Sequence, residues 1–274
     1  KAEYNLMENN EYVAHNIARK FIEFDKQIRN IWYEYIYLEE VISNTPPINI
    51  PKRKITGTTR GTLDSKRTGT LKVNFLCTKN SQSHFIDAII QFEQFIYYLS
   101  EQNFTVFPKK LGTEPLSGQK LTKLIYDKNS IVEILESIIE EKNRKIFYGN
   151  PVDIFLKDPC KFGYKKYFED NYLQIIKYFK QIIATRNIII HNNSRVDSKY
   201  LKETKSTTYK NKEIVIISSE FLRESILILN GLITELTNQY LTVNFSSTYR
   251  SKHIKMRADK FKHRTLTNYF KSFD

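Results

Sequence analysis

In the stretch ATRNIIIHNN (184–193), four residues separate Arg186 from His191, and Asn187 directly follows the arginine. These three side chains together suit chemistry at a phosphate. A guanidinium stays charged at any working pH and can grip phosphate oxygens in a two-pronged fashion. An imidazole can take or give a proton near neutrality, and an amide can orient either partner. On a helix, Ile183, Asn187 and His191 stack at four-residue spacing and share a face. Arg186 and His191 sit about 140° apart around an ideal helix, so they can line one cleft without touching within one chain. A purely structural reading stays open: Arg186 pairs with a core carboxylate such as Glu93 in IIQFEQF, and His191 closes the helix at its favourable dipole end.

The element that positions these groups is a helix from about Lys165 to His191. Its stripe Tyr172, Ile175, Phe179, Ile182 repeats at buried-helix spacing, and the next step lands on Arg186. Four further helices are read along the chain. Residues 11–42 carry Val13, Ile17, Phe21, Phe24, Ile28, Ile31, Tyr35 and Leu38 on one face, and NTPPINIP then stops that helix. Residues 83–102 align Phe85, Ile89, Phe92 and Ile96, while 219–241 align Leu222, Ile226, Leu229, Leu232, Ile233 and Leu236. Ser130 and Glu133 form a capping-box pattern ahead of another helix. KEIVIIS (212–218) reads as a strand or an extended lead-in.

The chain of 274 residues is 41% apolar, enough for a full core, and carries a net charge of +13. That charge is uneven. Residues 1–45 hold 5 basic and 8 acidic groups, 46–80 hold 8 and 1, 81–240 hold 22 and 19, and 241–274 hold 8 and 2. The excess in two segments points to a polyanionic partner. The organisation expected is an N-terminal helical segment (1–45), a basic loop or β-hairpin (46–80), a helical bundle (81–240) and a basic C-terminal tail (241–274). Two cysteines, Cys77 and Cys160, form no framework and fit a reducing, cytoplasmic setting. No run is long and apolar enough to span a membrane. The first residue is Lys1 rather than Met, as in a piece of a longer protein.

RNIIIHN resembles the R-x(4–6)-H signature of the HEPN superfamily, with Asn187 matching the polar residue that often follows the family arginine. The resemblance covers about 165–240 and extends plausibly from 81; RADKFKH (Arg257 to His263) also fits the bare pattern but lies in a charged tail. It implies an all-α antiparallel bundle that forms a homodimer with a composite active site and cleaves RNA without metal or cofactor. His191 would act as general base or acid, Arg186 would hold the scissile phosphate, and Asn187 would orient either group. The products would be a 2′,3′-cyclic phosphate and a 5′-OH. A toxin–antitoxin or anti-phage setting, with an antitoxin or activating partner, follows from the resemblance alone. A non-catalytic helical module that binds RNA or a protein is the alternative.

The two basic segments have no counterpart in that family. Arg53, Arg60, Arg67, Lys255 and Arg257 are candidates for contacts to RNA phosphates, and Tyr249, Phe261 and Tyr269 for stacking on bases. A metal-dependent nuclease built on Asp197, Glu203 and Lys205 would need paired strands, which their place after a helix end does not offer. His15, His84, His253 and His263 with the two cysteines lack zinc-ligand spacing.

Overall fold

The computed structural model describes residues 2–45, 65–112, 118–128, 130–164, 166–205, 209–245, 251–267 and 269–273. Among these residues the chain is helical with no named strand, so the all-α expectation holds. Helix α1 (Ala2–Asn44) and helix α2 (Ser65–Val106) pack along each other. A 3₁₀ turn (Pro108–Leu111) follows, then α3 (Gly118–Asp127), α4 (Ile131–Phe147) and the single turn α5 (Asp153–Leu156). Helix α6 (Tyr167–His191) carries the Arg–Asn–His group. After it come α7 (Ser198–Thr204), α8 (Ser219–Asn244), α9 (Lys252–Leu266) and a closing 3₁₀ turn at Lys271–Phe273.

Helix α8 is the axis of the bundle. Leu222, Ile226, Leu229, Leu232, Ile233 and Leu236 are buried, as their spacing predicts, and Glu224, Thr234 and Glu235 are buried as well. A helix covered on nearly all sides needs neighbours on all sides, and α1, α2, α6 and α9 supply them. Ser218 caps it by accepting the Phe221 N–H at 3.1 Å. In α1 the stripe from Ile17 to Tyr35 is buried, but Leu38 is 40% exposed because the helix runs past the core. The four residues of α5 drop Phe155 among Phe92, Phe168 and Phe179, with ring centroids 6.2, 4.9 and 5.5 Å away. Burying each such ring contributes about 1.5–3 kcal/mol. Ser130 accepts the Glu133 N–H at 3.2 Å, which realises the cap expected for α4.

Two expectations are corrected. The basic loop or hairpin of 46–80 is helical from Ser65 onward, inside α2; its earlier part lies outside the described residues. Gly and Thr are poor helix formers locally, yet the segment is part of a helix that packs on α1, where Asn80 Nδ2 donates to the Tyr35 carbonyl at 3.3 Å and to Glu39 Oε2 at 3.2 Å. The basic tail is likewise a packed element. Gly231 of α8 lets α9 approach so closely that a Cβ there would lie 2.1 Å from the Phe261 ring.

One buried polar link spans most of the sequence. Asp25 of α1 is 1% exposed, and its Oδ1 accepts Asn230 Nδ2 of α8 at 3.0 Å. Its Oδ2 accepts Arg257 Nη2 of α9 at 3.0 Å and faces Arg29 Nη2 at 3.1 Å. A carboxylate this deep requires such partners.

Candidate active site

Helix α6 kinks at Tyr172, whose φ of −135° and ψ of 22° are not helical. Beyond the kink Ile175, Phe179, Ile182, Ala184, Thr185 and Ile188 are buried, so the last three turns are fixed by the core. The helix stops because Asn193 and Ser194 adopt positive φ (49° and 62°). Ser194 N–H reaches back to the Ile188 carbonyl at 2.9 Å, which also accepts the Asn192 N–H at 2.9 Å. Gln82 of α2 donates to Ser194 Oγ at 3.0 Å in a buried contact that pins this corner. The extended segment KEIVIIS pairs with it through Val196 N–H to Glu213 O at 2.8 Å and Val215 N–H to Ser194 O at 2.9 Å. Val215 and Ile217 point inward while Ile214 and Ile216 are exposed.

His191 is exposed at this end and lines a cleft of ≈ 320 Å³ together with Asn187, Asn192, Asp197, Lys199, Tyr200 and Glu203. Its opposite wall is α7, set by its own cap: Asp197 Oδ1 accepts the Tyr200 N–H at 2.7 Å, and Asp197 Oδ2 accepts Asn192 Nδ2 at 3.2 Å. Burial pushes the Tyr200 phenol up, opposed by a hydrogen bond with Thr185.

Arg186 is half-buried and is not among the residues lining that cleft. Its Nη1 donates to Asn187 Oδ1 at 3.2 Å. Its charge acts on Glu93 of α2, whose carboxyl is raised by burial and drawn back down by the guanidinium. The structure therefore joins Asn187 to both other members, to His191 by a shared cleft and to Arg186 by a hydrogen bond. It does not bring Arg186 and His191 to one cleft within the chain. Lys199 is a wall residue that the sequence reading missed; a lysine two positions after an N-cap aspartate gives no signal of its own.

The phosphate-contact candidates divide. Arg53, Arg60 and Tyr249 lie outside the described residues, and Arg67 is placed only as a backbone position in α2. Lys255 is exposed on α9. Arg257 is engaged within the fold: its Nη2 donates to Asp25 Oδ2 at 3.0 Å, with 27% of the side chain exposed. Phe261 is corrected, being 3% exposed and stacked on Tyr172 at 5.6 Å and 16°. Tyr269 is half-buried; its hydroxyl accepts from Arg223 Nη1 at 3.3 Å, and the Arg223 and Arg264 guanidiniums each lie 5.6 Å from its ring centre.

Among the described residues no group of three or more His, Cys, Asp or Glu is arranged to hold a metal ion. His84 Nδ1 is 2.8 Å from the Asn80 carbonyl, and His253 Nε2 is 3.7 Å from Asp25, so these imidazoles serve separate local contacts. Cys160 is fully buried, with its thiol pushed up to about 12 by burial. No helix among the described residues is long and apolar enough to cross a membrane. No protein-family model, no curated protein and no solved structure matches the chain.

Proposed function

We propose that this chain is a metal-independent endoribonuclease of HEPN type, acting as a homodimer in a bacterial toxin or anti-phage setting. One observation carries the reading. The Arg–Asn–His group ends a core-anchored helix, and there the imidazole and amide line a cleft while the amide also holds the guanidinium. A 2′-OH entering the cleft would lose its proton to the His191 imidazole, and the same ring would protonate the leaving 5′-oxygen when it begins as the acid. Arg186 would stabilise the charge growing on the phosphate. Since Arg186 sits outside the cleft of its own chain, the guanidinium completing each site would come from a second copy. RNA would be cut to a 2′,3′-cyclic phosphate and a 5′-OH, and DNA would resist because it lacks the 2′-OH.

A second reading has its own support. Because the Arg186 charge reaches the Glu93 carboxyl on α2, the arginine can also be explained as a core residue balanced by that carboxyl. The chain would then be a non-catalytic module that binds RNA or a protein. Cleavage of a labelled mixed-sequence RNA in excess EDTA separates the two, with wild type, Arg186→Ala and His191→Ala matched for folding by circular dichroism. Cyclic-phosphate ends from wild type alone support the nuclease. Equal, absent cleavage by all three favours the binding module.

A further inference from the structure

We propose that the outer face of α9 is a docking ridge for the phosphate backbone of RNA, remote from His191. The helix carries six cations, Lys252, Lys255, Arg257, Lys260, Lys262 and Arg264, against the single carboxylate Asp259. Packing sorts them. Arg257 is committed to Asp25, Arg264 lies over the Tyr269 ring, and Lys262 is close enough for its charge to act on Glu235. Lys252, Lys255 and Lys260 remain on the outer face, where with Met256, Asp259 and His263 they line an open groove of ≈ 600 Å³. All three lysines are exposed, and among the described residues none is engaged by an ion pair.

The geometry favours a linear polyanion over a single anion or a membrane. Lys252 and Lys260 are about 12 Å apart along the helix axis, which spreads the charges in a row rather than around one point. Lysine ammonium groups act as hydrated point charges that grip a backbone without reading its sequence. A helix that lies on lipid needs its apolar face free, and in α9 that face (Ile254, Ala258, Phe261) is buried in the bundle. The ridge is also rigid. Ser251 caps the helix by accepting the Ile254 N–H at 3.4 Å, and the Phe261–Tyr172 stack and the Arg257–Asp25 pair fix its other faces. Through that stack the ridge sits near Tyr172, nineteen residues before His191 on α6 and so about 28 Å from it. The choice of RNA among polyanions rests on the proposed activity; the binding itself does not.

The test uses the full chain with His191→Ala, so that bound RNA stays intact. Anisotropy of a labelled single-stranded RNA of about 30 nucleotides is followed from about 50 to 200 mM KCl. Lys252→Gln, Lys255→Gln and Lys260→Gln together should flatten the log–log salt slope by about 2, because each lost single-strand phosphate contact removes about 0.7. A control with Lys145→Gln, Lys157→Gln and Lys177→Gln makes the same change in net charge elsewhere and should keep the wild-type slope. An unchanged slope in the α9 variant overturns the ridge, as does equal flattening in the control, no RNA binding at all, or tighter binding to phosphatidylserine vesicles. Cleavage by the His191-intact protein is scored separately. Flattening without cleavage keeps the ridge and removes the nuclease, and cleavage without flattening does the reverse.

Discussion

Arg186 and Asn187 are neighbours in sequence whose side chains meet, Nη1 to Oδ1 at 3.2 Å, although successive helix positions point about 100° apart. Asn187 thereby serves two directions, fixing a guanidinium on one side and walling the His191 cleft on the other. An alanine at 187 would free the arginine without altering its charge.

Replacing Asn187 should therefore separate positioning from chemistry. Asn187→Ala is expected to lower kcat by up to about 10²-fold through misplacement, with little change in KM or in melting temperature. His191→Ala should cost roughly 10²–10⁴-fold. Initial rates on one RNA substrate check both. A rise in KM alone for Asn187→Ala would make the amide a binding group instead.

Two inactive variants should rescue each other. If Arg186 of one copy completes the cleft of the next, mixing Arg186→Ala with His191→Ala protein yields heterodimers with one intact site. After full exchange, activity should recover to about a quarter of wild type for a two-fold symmetric pair. The readout is cleavage rate with exchange verified by differently tagged subunits. Complete exchange with no recovered rate would mean that both groups act within one chain.

Gly231→Ala should strike the α8–α9 contact. Its new methyl meets the Phe261 ring, which is held from behind by Tyr172, and overpacking of this sort costs about 1–3 kcal/mol. Denaturant melts should register that loss, and Phe261→Leu in the same chain should recover part of it. Strictly additive destabilisation by the two changes would show that the ring does not set the approach of the helices.

Glu235 predicts the sign of a pH effect. The Tyr167 and Tyr172 hydroxyls donate to it at 3.0 and 2.8 Å, yet burial dominates and holds its carboxyl above the ordinary range. A carboxyl raised on folding binds its proton more tightly in the native state. Its contribution is therefore largest at low pH and is lost as pH climbs from the unfolded value through the folded one. Glu235→Gln should remove that fall, so the stability of wild type relative to the variant declines between acid and neutral pH. Parallel pH–stability curves for the two proteins would rule this assignment out.

Much of the bundle was legible because burial leaves a periodic trace. Phe85, Ile89, Phe92 and Ile96 announced α2, and Leu222 through Leu236 announced α8. The start of α2 was hidden because Gly69 and its neighbouring threonines are poor helix formers, and the contact with α1, as from Asn80 to Tyr35, lies far off in sequence. The contacts of Arg257 and Phe261 were hidden for a related reason: a basic, aromatic stretch looks the same in sequence whether its groups face water or a buried aspartate and tyrosine 232 and 89 residues away. At the site, Asn187 and His191 were predictable from helical spacing, whereas α7 enters through a loop whose course no local pattern encodes.

The Asp25–Arg257 pair also orders events in time. The partners are 232 residues apart, so at synthesis rates of about 5–20 residues per second the aspartate emerges roughly 10–50 s before the arginine that α9 brings to it. Through that interval Arg29 is the nearby cation on its own helix. Helix α8, the axis of the bundle, ends only 13 residues before Arg257, so the core and its deeply buried aspartate are enclosed at nearly the same moment. A buried charge with partners this far apart thus ties the first-made helix to one made much later in a single packing event.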